Sequence, residues 1–424
     1  MLYPGAKNWT GKYYQLIEQE LIQVHAEIPD DIPPDEFLHA ELFQTGIAFG
    51  YPSQLLFAKN IDTTDWTLDE RLKVLLFEAL LQVYLINNKS FKPEAFEKSL
   101  LGFYEAYKEE RSFSVFRFFI KESPGIKLER MLSQRVHIRK TFTNMLWVNY
   151  LSNSLVFLDV LAYRQYLKKG HNLKENYSIY AETVLKTIIL ATFSDGKVEP
   201  QEQTIFNVFI ASANLVQPQR SEIIEASKSG KITLNDIQLP PYVDKLFNYF
   251  LIDIAVLTVF SDLTAMDDEI TFLYDLCNHL EVDTEILHSS LVLIEGFVLE
   301  NNHKVTFLQE SSSYDRLYKS FSKRWIKVLG RNKDKLVEEL KNNKELVSLV
   351  NKSLVQDLST EEKEKVRSQF KDVVKSMPAL AIFMLPGGAL LLPIIFRIVP
   401  DLLPSSFKHN ELTKKTINKK KKGK

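Results

Sequence analysis

Cysteine occurs once in 424 residues, at Cys277, so no intrachain disulfide can form and nothing points to an oxidising compartment. Glycine is scarce, 14 of 424 or about 3% against a usual 7%, and proline is at 16 of 424 or about 4% against 5%. Tight hairpins and phosphate-cradling loops consume glycine, so a helical protein is favoured over a Rossmann or P-loop enzyme. Neither sign of charge dominates: 53 Lys+Arg against 54 Asp+Glu give a net charge of -1, which excludes a globally basic nucleic-acid binder. No GxGxxG, GxxxxGK(S/T), HExxH or GxSxG motif occurs. The eight histidines are scattered; His39 lacks a partner at metal-ligand spacing, and Cys277 falls in the apolar pattern FLYDLCNHL. No catalytic residue is therefore assigned, and the chain is not expected to be an enzyme.

The pattern that is present is helical. Thr67 and Glu70 form a capping box ahead of RLKVLLFEALLQVYLI, in which Leu72, Leu75, Leu76, Ala79, Leu80, Val83 and Ile86 keep a helical period. Pro93 fits the first turn of another helix with Phe96, Leu100, Phe103 and Tyr107 on one face. The phenylalanine-rich run 112–120 fits a strand or a buried helix equally well. Two apolar stretches, 146–161 and 246–260, are interrupted by Asn149, Asn153 and Asp159 and by Asn248 and Asp253, and are expected to be buried helices of a globular core rather than membrane spans. The expected class is all-α and multi-domain, with helical domains at 1–170 and 171–305 and a distinct region at 306–424.

A weak internal repeat lies beyond residue 170. Phe193-Ser194-Asp195 is echoed by Phe260-Ser261-Asp262, and a glutamate follows each aspartate by seven residues, Glu202 and Glu269. An apolar helix precedes each turn and another follows it, so one helix-turn-helix unit is used twice. At these residues the sequence resembles the TerB-like fold of the tellurite-resistance family over about 177–298. The first copy keeps Asp195, Gly196, Val198 and Glu202; the second has Leu263 and Ala265 in place of the glycine and the aliphatic residue. The resemblance implies a helical bundle and an acidic divalent-cation site drawing on Asp195, Glu199, Glu202, Asp262 and Glu269. Local structure accounts for the same carboxylates: an Asp-Gly turn, a capping Glu199, Pro200 in the first helical turn and Glu202 at the positive end of a helix. Hard cations want six or more oxygens, and the spacing is not that of an EF-hand. A divalent cation is the one cofactor the pattern allows.

The C-terminal quarter differs in kind. Ser359 and Glu362 form a second capping box, opening EEKEKVRSQFKDVVKSM. No charged residue occurs from 377 to 396, about the 20 residues needed to cross a bilayer. Pro378, Pro386, Pro393, Pro400 and Pro404, with Gly387-Gly388 near the middle, prevent one straight helix. From 354 to 407 the sequence closely resembles the transmembrane and following segment of the LETM family, through Leu358-Ser359, Met377-Pro378, Pro386, Leu391-Leu392-Pro393, Arg397, Pro400 and Leu403-Pro404-Ser405-Ser406-Phe407. Together with the TerB-like region, the whole chain is similar to the bacterial LETM-related biofilm-associated proteins. That resemblance implies cation/proton exchange or ribosome binding. The family's intramembrane glutamate falls on Ala389, and an ionisable group is the default requirement for an ion relay.

Basic residues flank the apolar segment on both sides: Lys363, Lys365, Arg367, Lys371 and Lys375 before it, and Lys414, Lys415, Lys419, Lys420, Lys421, Lys422 and Lys424 in the tail 408–424. The positive-inside rule asks for both flanks on the cytoplasmic face, which a re-entrant hairpin turning at Pro386-Gly387-Gly388 or an interfacial helical pair satisfies. A soluble hairpin buried against a partner is the other reading. The opening MLYPGAKNWTGKYYQ has no apolar h-region, so the bulk of the chain is expected in the cytoplasm, held at the bacterial inner membrane. The tail could attract anionic lipid, bind ribosomal RNA through phosphates, or be a solvated end. No aromatic residue interleaves its lysines, so sequence-specific nucleic-acid reading is not expected. The expected function is a non-enzymatic, membrane-associated interaction protein or scaffold with a ribosome or other protein partner, linked to envelope or biofilm assembly. An oligomeric cation/proton transport component is the alternative.

Overall fold

The computed structural model describes residues 2–24, 28, 33–88, 91–108, 123–137, 153–169, 176–198, 200–213, 215–239, 243–260, 267–301, 343–353, 359, 361–362, 365–366 and 368–369. The regular elements among these residues are all helices, with no strand among them. Met1–Ser311 forms one compact unit and Ser312–Lys424 a second. No helix among the described residues is long and apolar enough to cross a membrane. The expected membrane segment 377–400, the run 112–120 and the tail 408–424 lie outside the described residues.

In the first unit α1 (Trp9–Glu18) and α2 (Pro34–Phe43) are followed by the short 3-10 turn Ile47–Phe49. Helices α3 (Leu68–Asn88), α4 (Pro93–Lys108), α5 (Pro124–Val136) and α6 (Phe157–Lys169) come next. Helix α3 starts where its capping box places it: the Thr67 amide donates to Glu70 Oε2 at 2.8 Å and the Glu70 amide to Thr67 Oγ1 at 3.2 Å. Its apolar period predicts one buried stripe. The helix is instead buried on every side from Leu72 to Leu85, because α5, α6 and the 3-10 turn all pack against it. Phe77 on α3 meets Trp9, Tyr13 and Tyr14 of α1 and Phe96 of α4 at ring separations of 5.1–6.0 Å.

The rest of the unit comprises α7 (Asn176–Thr192), α8 (Pro200–Ala213), α9 (Gln219–Ser229), α10 (Lys245–Val259), α11 (Asp267–His279) and α12 (Thr284–Asn301). Helix α10 is its axis, packing against α2, α7, α8, α11 and α12. The 246–260 run expected as a buried core helix is this element; its 15 residues span only about 22 Å at 1.5 Å per residue, short of a bilayer core. The two halves are joined by α6 packing on α7 and by α2, which keeps its contact with the 3-10 turn that follows it and also lies on the distant α10. At Gly50 (φ +65°) a Cβ would fall 2.6 Å from the Asn153 carbonyl oxygen and the Ser154 Cα, so only glycine lets these strands of chain meet.

Candidate functional site

The helices on either side of each repeated Phe-Ser-Asp stretch are present in the fold, while residues 199 and 261–266 lie outside the described residues. Helix α7 ends at Thr192 and α8 begins at Pro200; α10 ends at Val259 and α11 begins at Asp267, so residues 193–199 and 260–266 are connections of the same length. The first helices of the two copies, α7 and α10, pack directly on each other. In the first turn the Lys197 amide donates to Asp195 Oδ1 at 2.8 Å, and Gly196 adopts φ +77° with open space around it. This is the Asp-Gly turn that local chemistry predicts. Glu202 and Glu269 occupy the third position of α8 and α11 respectively, and both are buried (3% and 6% exposed). A carboxylate in the first turn faces the positive end of the helix dipole, which favours its charge there.

Of the five carboxylates named for a cation, Asp195, Glu202 and Glu269 are described, while Glu199 and Asp262 lie outside the described residues. Among the described residues no three His, Cys, Asp or Glu side chains converge on a metal position. Cys277 is fully buried, and burial together with nearby Asp283 pushes its thiol up to about 12, which removes thiolate character at neutral pH.

In the second unit the described part centres on α13 (Lys344–Ser353) and helical residues at 361–362, 365–366 and 368–369. The second capping box forms as its spacing predicts: the Ser359 amide donates to Glu362 Oε2 at 3.0 Å and the Glu362 amide to Ser359 Oγ at 3.2 Å. Leu346 and Val366 are buried, and around them Lys352 pairs with Glu362 while Lys365 pairs with Glu345 at 3.2 Å. Gln369 adds a second donor to Glu345. The hydrogen bond from Lys365, then that from Gln369, holds the Glu345 carboxyl below its ordinary range; Lys352 and then the Ser359 amide do the same for Glu362. Lys365 and Glu345 are exposed, so that pair is weak and its lysine can exchange glutamate for another anion at small cost; Glu362 is half-buried beneath Lys352. All the singled-out residues Pro378, Pro386, Gly387, Gly388, Pro393, Arg397, Pro400 and Pro404, and tail lysines Lys414, Lys415, Lys419, Lys420, Lys421, Lys422 and Lys424, lie outside the described residues.

The most developed polar constructions were not singled out by sequence motifs. Glu78, fully buried on α3, accepts from the amides of Leu56, Phe57 and Ala58 and from the Tyr13 hydroxyl, and so pins an irregular loop to the helix. Burial nevertheless raises its carboxyl above the ordinary value, the four donors pulling the other way. Arg135 and Asp159 form a buried two-point ion pair that also receives the Tyr104 hydroxyl. Arg164 bridges Asp35 at the start of α2 and Asp244 at the start of α10. His39 Nε2 lies 2.7 Å from Asp253 Oδ2, and Ser290 donates to the other carboxylate oxygen. The signal available in sequence was a charge inside an apolar helix, as at Asp159 and Asp253, because a buried carboxylate requires partners.

Residues 358–424 match the family described as "LETM1-like, RBD". No curated protein matches the chain, and no solved structure does. The C-terminal region is therefore similar to the LETM family over 358–424, a stretch that begins one residue before the Ser359 capping box.

Proposed function

We propose that this chain is a non-enzymatic, membrane-associated interaction protein of the LETM type, whose C-terminal region engages the ribosome and whose helical body presents it from the cytoplasmic face of a bacterial inner membrane. The observation that carries the reading is the match of residues 358–424 to the LETM1-like RBD, read as a ribosome-binding domain. Charge supports it: eight of the residues 408–424 are lysines (408, 414, 415, 419, 420, 421, 422 and 424), and Lys352 and Lys365 pair with a half-buried and an exposed glutamate respectively. Such lysines bind phosphate through counterion release, which makes binding steeply dependent on salt. The uncharged stretch 377–396 with its prolines supports membrane association, and the paired α7–α8 and α10–α11 units support a TerB-like bundle with a link to envelope or biofilm assembly.

A transport role has less chemistry behind it, because 377–396 carries no ionisable side chain and Ala389 stands where the family has a glutamate. No resident cofactor is proposed beyond a divalent cation at the TerB-like turns, and homo-oligomerisation would run through the apolar segment. Co-sedimentation of the full chain with ribosomes over a salt series tests the central reading. Binding is expected to fall linearly in log–log form with salt and to drop by at least tenfold when residues 408–424 are removed. Absence of co-sedimentation at low salt would end the ribosome reading, and release of the chain by carbonate extraction would end the membrane one.

A further inference from the structure

We propose that Glu345 of α13 is a built-in phosphate mimic: it occupies Lys365 and Gln369, donors that an RNA backbone phosphate would take, and so restrains RNA binding by the C-terminal region. The inference rests on the ribosome reading above and adds a regulating residue to it. Lys365 and Gln369 lie four residues apart inside the matched stretch 358–424, whereas Glu345 lies before it. The Glu345 carboxylate divides itself between them: Lys365 Nζ donates to Oε1 at 3.2 Å and Gln369 Nε2 to Oε2 at 2.5 Å. Two oxygens of one anion, one on an ammonium and one on an amide NH₂, reproduce what two phosphate oxygens would make with the same donors.

The antiparallel pairing of α13 with the helical residues between 361 and 369 brings Glu345 there. Lys352, late in α13, reaches Glu362 early in the second stretch; Glu345, early in α13, reaches Lys365 and Gln369 later in it. Leu346 and Val366, each next in sequence to a member of the exposed pair, are buried. Glu362 is committed twice, to Lys352 through Oε1 and to the Ser359 amide through Oε2, so that end of the pairing belongs to the capping box. At the other end Asn343 Oδ1 accepts from the Leu346 amide, and the start of α13 therefore does not depend on the Glu345 side chain. The charge of Glu345 is free to serve a purpose other than capping.

Lys365 first, then Gln369, holds the Glu345 carboxyl below its ordinary range, so it is anionic at neutral pH. Side chains 63% and 55% exposed leave the pair open to water, and its grip is slight. A phosphate arriving at Lys365 has only to displace it. RNA that needs Lys365 finds the lysine free for part of the time, and its apparent affinity is lowered by that fraction. Removing the glutamate charge lifts the restraint.

Co-sedimentation of the full chain with ribosomes at low salt tests this. Glu345→Gln keeps the side chain's size and loses its charge; it is expected to bind about threefold more tightly than wild type, the scale of one exposed pair. Lys365→Gln should weaken binding, and adding Glu345→Gln to it should restore nothing, because no lysine remains to be freed. Glu361→Gln removes an exposed carboxylate that makes no ion pair among the described residues, and should leave binding unchanged. Equal or weaker binding by Glu345→Gln would overturn the mimic. So would the same gain in Glu361→Gln, or a gain that persists beside Lys365→Gln, since either is a general effect of net charge. Those outcomes leave the ribosome reading standing, whereas failure of wild type and every variant to sediment with ribosomes overturns both.

Discussion

Arg135–Asp159 and Lys365–Glu345 are built from the same two kinds of charge, yet they do opposite things. The first pair has side chains 4% and 0% exposed and sits in the core of Met1–Ser311, where the Tyr104 hydroxyl donates to Asp159 and the Asn153 amide to the Arg135 backbone carbonyl. The second has side chains 63% and 55% exposed and lies in the C-terminal unit. Inside, desolvation makes each partner depend on the other, so the pair fixes which helices meet. Outside, water already satisfies both charges, and the lysine can change partners with little loss. The buried pair holds one arrangement of helices, and the exposed pair leaves its lysine free to change partners.

The largest test of that contrast is Asp159→Ala, which strands Arg135 in the core and should destabilise the protein by about 3–5 kcal/mol in urea unfolding. Adding Arg135→Met should recover much of that loss, since a buried apolar side chain needs no counter-charge; no recovery would mean the pair does more than satisfy itself. Next in size is Glu78→Gln, which turns an amide NH₂ toward backbone N–H donors and should cost about 1–3 kcal/mol in thermal unfolding. A neutral result would show that the 56–58 loop is held by other contacts. Smallest is Lys365→Ala, expected to leave the unfolding midpoint where it is while weakening ribosome co-sedimentation at low salt. A clear loss of stability there would erase the distinction between the two regions.

Much of the local structure could be read before the fold. Both capping boxes, Thr67–Glu70 and Ser359–Glu362, are made as spaced, because a cap is a contact between residues three apart and needs nothing distant. The start of α4 at Pro93, the Asp195–Gly196 turn and the buried α10 follow the same logic. Periodicity marked Leu72 to Ile86 as core; Ile86 is only half-buried, while Lys73, Glu78 and Gln82, which the period did not mark, are buried. A hydrophobic stripe tells which face seeks cover; it does not tell how many neighbours arrive. Asp253 was visible as an interruption and His39 as a residue without a local partner, yet no spacing rule joins positions 39 and 253.

Sequence alone determined that the chain is helical, where several helices begin, that one helix-turn-helix pattern recurs, and that the C-terminal quarter resembles the LETM family. Those features depend on contacts within a few residues or on the order of residue types along the chain. Tertiary structure alone decided that α2 lies on the distant α10, that Glu78 pins a loop, and that His39, Asp253 and Ser290 share one buried site. Such pairings are chosen by packing and by the cost of burying an unpartnered charge, and that cost is set only when the whole core closes around it.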